Sequence, residues 1–156
     1  MNINQAIDDF VERMRAAGVR FERIDAAPWI IDFEKKLPRR LPRSYFSLLS
    51  RYRFSSFEYK DIDFFGNING HSEDELVIAA RLDPYVWEPA IAHGFVPVGR
   101  PATGSYDPIC FDTGKRTRNR EGPVVCLDHE ELLQQESARI KQELAQSFLA
   151  LIEAKE

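Results

Sequence analysis

GSYDPICFDTGKRTRNREGPVVCLD, residues 104–128, decides which kind of fold this chain takes. Two short apolar runs stand on either side of a polar stretch that carries a glycine near each end. Successive side chains of a strand point to opposite faces. Ile109 and Phe111 therefore share one face, and Cys110 and Asp112 the other. Downstream, Val125 and Leu127 oppose Val124, Cys126 and Asp128 in the same fashion. The two runs read as an antiparallel hairpin with a long basic loop, TGKRTRNREG. Pairing Asp112 with Val124 sets Cys110 opposite Cys126, two neighbouring thiols on one sheet face, with packing rather than redox chemistry as their expected role.

Upstream of the hairpin the pattern is helical. Ile3, Ile7, Phe10, Val11 and Met14 recur at helical spacing, and Gly18 stands where a left-handed cap belongs. A second helix is predicted from Pro28 through Phe33 to Leu37. LPRRLP bends the chain, because each proline disfavours helix in the residue before it, and a third helix starts at Pro42. FSSFEY and IDFF predict one or two strands, and GNINGHS a loop. SEDELVIAARL predicts a helix, and PYVWEPAIAHG a short one interrupted near Pro89. FVPVG supplies a further strand. From Glu130 to the end a helix is expected, with Ile140, Leu144, Phe148, Leu151 and Ile152 as its apolar stripe. The expected fold is α+β: a central, mainly antiparallel sheet flanked by N-terminal and C-terminal helices, in a single domain over residues 1–156.

The totals fit one domain. At 156 residues, 44% of them hydrophobic and eleven of them Phe, the chain fills a core without staples. Its two cysteines make no disulfide framework and point to a reducing compartment. The opening MNINQAIDDF lacks a secretion signal, and no run of about 18 apolar residues occurs, so a cytoplasmic protein with no membrane association is expected. Charge is uneven. Residues 11–53 carry eleven basic side chains against five acidic, and residues 54–94 carry two against eight, within a net charge of −4. No direct nucleic-acid binding is expected, since the basic residues are spread through amphipathic helices without interleaved exposed aromatics.

The hairpin also holds the residues that look most like chemistry. Ser105 lacks the strand–turn–helix elbow of a serine nucleophile, since Tyr106 and Asp107 follow it and a strand comes next. Gly114-Lys115 lacks the first glycine and the following hydroxyl of a phosphate-binding loop. The histidines His71, His93 and His129 are far apart, so no metal is expected. Asp128 and His129 should point to opposite sides, with Asp128 capping a helix and Glu131 completing the box. Neither a catalytic set nor a cofactor is expected. A small hydrolase using Asp107, Asp112 or His129 would need those groups to converge in one pocket.

Four motifs in order resemble the SUKH superfamily, which gathers fungal cell-wall-assembly regulators and many bacterial immunity proteins. They are WIIDFEKKLPRRLPRSYFSLLSRY, GFVPVG, GSYDPICFD with PVVCLDHEE, and AQSFLALIE, together spanning residues 29–153. Arg51-Tyr52-Arg53 stands where many relatives have Asn-Gly-Gly. The resemblance implies a non-catalytic binding protein, typically one that neutralises a cognate toxin by direct binding. A general regulatory scaffold is the alternative. It also implies structural roles for Leu41, Pro42, Tyr45, Pro97, Gly99, Asp107, Asp112 and Asp128. The acidic segment, with Asp61, Asp63, Glu73, Asp74, Glu75, Glu88 and the possible anchor Trp87, is the expected partner surface.

Overall fold

The computed structural model describes residues 2–25, 27–68, 76, 80, 84–117, 120–135 and 137–153. Among them the chain runs α1 (Ile3–Ala16), β1 (Phe21–Arg23), α2 (Trp29–Lys35), α3 (Arg43–Arg51), β2 (Tyr52–Phe54), β3 (Phe57–Tyr59) and β4 (Ile62–Phe64). It continues with α4 (Pro84–Ala92), β5 (Phe95–Pro101), β6 (Ile109–Asp112), β7 (Val124–Leu127), α5 (His129–Gln135), β8 (Ile140–Ala145) and α6 (Phe148–Glu153). The fold is α+β. Strands β3 to β8 form one sheet in chain order, antiparallel throughout, and β1 pairs with β2 in a small second sheet.

Alternation along β6 and β7 sorts the core into two layers. Ile109, Phe111, Val124 and Cys126 join the larger cluster, with Phe10 of α1, Leu48 of α3 and Phe148 of α6. Cys110, Val125 and Leu127 join a smaller one under Val86 and Ala90 of α4 and Leu132 of α5. Both strands are thus buried on both faces, which explains their short apolar runs. Phe148 is where the larger layer meets: its ring lies 5.3 Å from that of Tyr45, 5.9 Å from Phe64 and Phe111, and 6.4 Å from Phe10.

Several expectations change. The hairpin register is one residue off: Phe111 pairs with Val124, Cys110 with Val125 and Ile109 with Cys126. A one-residue slip moves a whole strand to the other face, so the two thiols lie in different layers, both as free cysteines. The C-terminal segment is α5, β8 and α6 rather than one helix. IKQELA is rich in helix formers, but pairing with β7 overrides that preference, and the pairing shifts register at two places. Helix α4 runs through Pro89 without interruption. Proline removes one amide donor, and the carbonyl one turn earlier belongs to Tyr85, whose residue is 76% exposed. Strand β1 had no alternating signature in three residues. The SEDELVIAARL helix lies outside the described residues except for Leu76, buried, and Ala80, both helical.

Tyr45 stands fully inside this core, edge-on to Phe111 at 4.8 Å, and among the described residues its hydroxyl has no hydrogen-bond partner. Burial pushes the phenol well above its ordinary pKa. A buried polar group without a partner costs free energy that its removal returns. Tyr45→Phe is therefore expected to raise stability by about 1 kcal/mol, read as a higher urea midpoint at unchanged slope. A lower midpoint would show that the hydroxyl is satisfied.

Candidate functional site

The residues that looked most like chemistry meet where the loop before β6, the start of α5 and β8 converge. Asp107 is buried, and its two oxygens face three donors. Oδ1 accepts the backbone N–H of His129 at 3.0 Å and lies 2.6 Å from His129 Nδ1. Oδ2 accepts Lys141 Nζ of β8 at 2.8 Å. Beside it, Asp128 Oδ1 caps α5 through the N–H groups of Glu130 and Glu131 at 3.0 and 3.3 Å, and Oδ2 pairs with Arg139 at 2.9 Å. This arrangement joins three separate segments through charge-assisted hydrogen bonds.

Asp107, Asp128 and His129 each offer a ligand atom within 4.8 Å of the others. Asp128 and His129 were expected to point to opposite sides, but strand alternation ends at Leu127 and the helical turn that follows brings the two neighbours together. Those same oxygens already accept hydrogen bonds, one of them from His129 Nδ1 itself, and the cations of Lys141 and Arg139 stand against them. The donor set is that of a clasp between elements, and a divalent ion would have to displace it. Asp112 is not part of it. At the far end of β6 its Oδ1 accepts Gly114 N–H at 3.1 Å and shapes the turn into the loop.

Burial alone would raise the Asp107 carboxyl, but the hydrogen bonds from Lys141 and His129 and the Lys141 charge outweigh it and hold the pKa well below the usual range. A lowered folded pKa means that the stabilisation is complete above the unfolded value, about 3.9, and is lost as pH falls through the folded one. Asp107→Asn is expected to cost about 2 kcal/mol at neutral pH. The gap between wild type and variant should shrink only in strong acid, in denaturation curves taken from neutral pH downward. A gap that vanishes near neutrality would place its origin elsewhere.

The described acids of the acidic segment sit on different elements. Asp61 sits in the β3–β4 turn with φ 64°, exposed, and Asp63 is exposed on β4 opposite Arg100. Glu88 is exposed on α4, beside Trp87. Trp87 is only 6% exposed and packs edge-on to Phe33 at 6.5 Å, so it forms the inner wall of a groove of about 460 Å³ between α2 and α4. Trp87 and Glu88 share that groove with Leu37 and Ile91. Glu73, Asp74 and Glu75 lie outside the described residues.

Two groups escaped sequence reasoning because their partners are remote. Glu121, in the polar, basic hairpin loop, is buried and reaches both α3 and α6. Asp8 of α1 accepts from Arg51 at 2.8 Å and Tyr52 Oη at 2.5 Å, with Arg23 at 3.6 Å. Burial opposes but does not cancel the effect of these partners, which lower its pKa. The Arg51-Tyr52 pair that departs from Asn-Gly-Gly thus ties α1 to the end of α3.

Known families give a matching picture. The model of the SMI1 / KNR4 family (SUKH-1) matches residues 28–154. The chain belongs to that family. No curated protein matches it. The residues for which the resemblance implied structural roles hold turns and element starts here. Pro42 starts α3, and Leu41 N–H donates to Glu34 Oε2 at 2.9 Å. Pro97 and Gly99 flank a register shift between β5 and β6. Asp107, Asp112 and Asp128 tie down turns and a helix start. No described helix is long and apolar enough to cross a membrane.

Proposed function

We propose that this SUKH-1 protein is a non-catalytic, cytoplasmic immunity protein that neutralises a cognate toxin by direct binding. The observation that carries the reading is the state of the Asp107–His129–Lys141 cluster: both Asp107 oxygens, His129 Nδ1 and Lys141 Nζ bond one another and so hold elements of the fold together. Membership of the family supports a binding role. The exposed Asp61, Asp63 and Glu88 supply negative charge for a basic toxin surface, with Glu73, Asp74 and Glu75 adding to it in the sequence. Complementary charge mainly speeds encounter. The Trp87 groove offers a place for an apolar anchor from the partner.

Co-expression with the toxin domain encoded beside it should restore growth, and the purified pair should elute as one complex. Failure to protect against any toxin encoded next to it would remove the reading. Capture of several unrelated partners, with no protection, would favour a regulatory scaffold. The 2.6 Å contact between Asp107 and His129 favours one other reading, a small hydrolase. Full protection by a His129→Ala variant would exclude it.

A further inference from the structure

Two basic stretches distant in sequence come together in the fold. The LPRRLPR bend brings Arg39, Arg40 and Arg43, and the hairpin loop brings Lys115, Arg116 and Arg120. Arg116 donates to the backbone carbonyl of Arg40 at 3.3 Å, and the guanidinium of Arg39 lies against Gly94 and Gly114. All of these side chains but Arg120 are on exposed residues.

Arg120 bears three separate penalties. Its φ is 61°, in the left-handed region that a side chain disfavours. Its Nε is buried with no hydrogen-bond partner among the described residues. Burial first, then the charges of Arg40, Arg43 and Arg116, pull its pKa down, with Glu34 acting the other way. A fold gains nothing from crowding cations around a strained, half-satisfied arginine. Strain of this kind persists where a ligand repays it. The adjoining cavity of about 600 Å³, lined by Arg43 and Arg120 together with Asn4, Phe46 and Ser50, has room for neutral side chains as well.

We propose that the patch formed by Arg39, Arg40, Arg43, Lys115, Arg116 and Arg120 docks a carboxylate-rich segment of a protein partner. Planar guanidinium groups accept carboxylates side-on. The net charge of −4, with eight acids in residues 54–94, opposes a long polyanion such as a nucleic acid. A short acidic segment feels mainly the patch, since screening acts over about 8–10 Å. The inference goes beyond the toxin reading and does not depend on it.

The test uses a fluorescent decaglutamate peptide and a short DNA duplex as probes, followed by anisotropy on the full chain. The peptide should bind at low salt and weaken as salt rises. Arg40→Glu with Arg116→Glu should weaken it by roughly tenfold or more, and Arg40→Gln with Arg116→Gln by less, with circular dichroism unchanged. Absence of peptide binding, equal binding by the charge-reversed variant, or tighter binding of the duplex would each overturn the proposal.

Discussion

Glu121→Ala is expected to lower stability by about 3 kcal/mol, one of the two largest single losses foreseen for this chain. Glu121 comes from the basic loop, yet its side chain is buried between two helix starts. It accepts Ser44 N–H at 3.2 Å and Ser44 Oγ at 2.5 Å at the first turn of α3, and Leu149 N–H at 3.4 Å at the first turn of α6. The first amides of any helix lack intrahelical partners, and the helix dipole favours an acid beside them. Here one carboxyl group serves both ends, and Pro42, at the N-cap of α3, makes no side-chain cap bond of its own. Truncation leaves buried amides without acceptors and a void beside them. Urea denaturation measures the loss directly. Glu121→Gln keeps an acceptor and should cost roughly half as much. Wild-type stability in the alanine variant would mean that water reaches those amides.

Gly99→Ala should cost about as much, for a different reason. Gly99 lies in β5 between Phe64 of β4 and Ile109 of β6. A β-carbon there would fall on the carbonyl oxygen of Asp63, 3.1 Å from its carbonyl carbon and 3.2 Å from the Phe64 Cα. Backbone cannot step aside without opening the β4–β5 ladder, and glycine within a strand marks this kind of approach. A loss of about 3 kcal/mol would lower the melting temperature by roughly 6–12 °C at this chain length. Gly104→Ala is the control: φ is 88° but no atom lies within 4 Å, so only the backbone conformation is penalised, by about 1–2 kcal/mol. Equal losses at both positions would refute the steric account.

Much of this was legible from residue patterns. α1 was readable because Ile7, Phe10, Val11 and Met14 form one buried face, and α3 because Tyr45, Leu48 and Leu49 do. The alternation of Ile109, Cys110 and Phe111 correctly separated two faces of β6. What failed was register. Alternation says which side chains share a face, but not which residue sits across the ladder. That is set by where the chain re-enters the strand, and Asp112 N–H meets the carbonyl of Pro123. Strand β8 failed similarly, since its sequence favours helix and only the open edge of β7 makes it a strand.

The candidate site divides the same way. Asp128 as a helix cap could be read locally, because its partners lie two and three residues on. Asp107 with His129 and Lys141, and Glu121 with Ser44 and Leu149, could not, because their partners stand 22 to 77 positions away along the chain. The sequence by itself determined the class of fold, the helices with one apolar face and the family motifs, all of which are written in short-range periodicity and composition. Tertiary structure alone decided the strand register, the clasp at Asp107, the buried post of Glu121 and the gathering of arginines around Arg120. Each depends on a contact between segments that only folding brings within the few ångströms over which a hydrogen bond or unscreened charge acts.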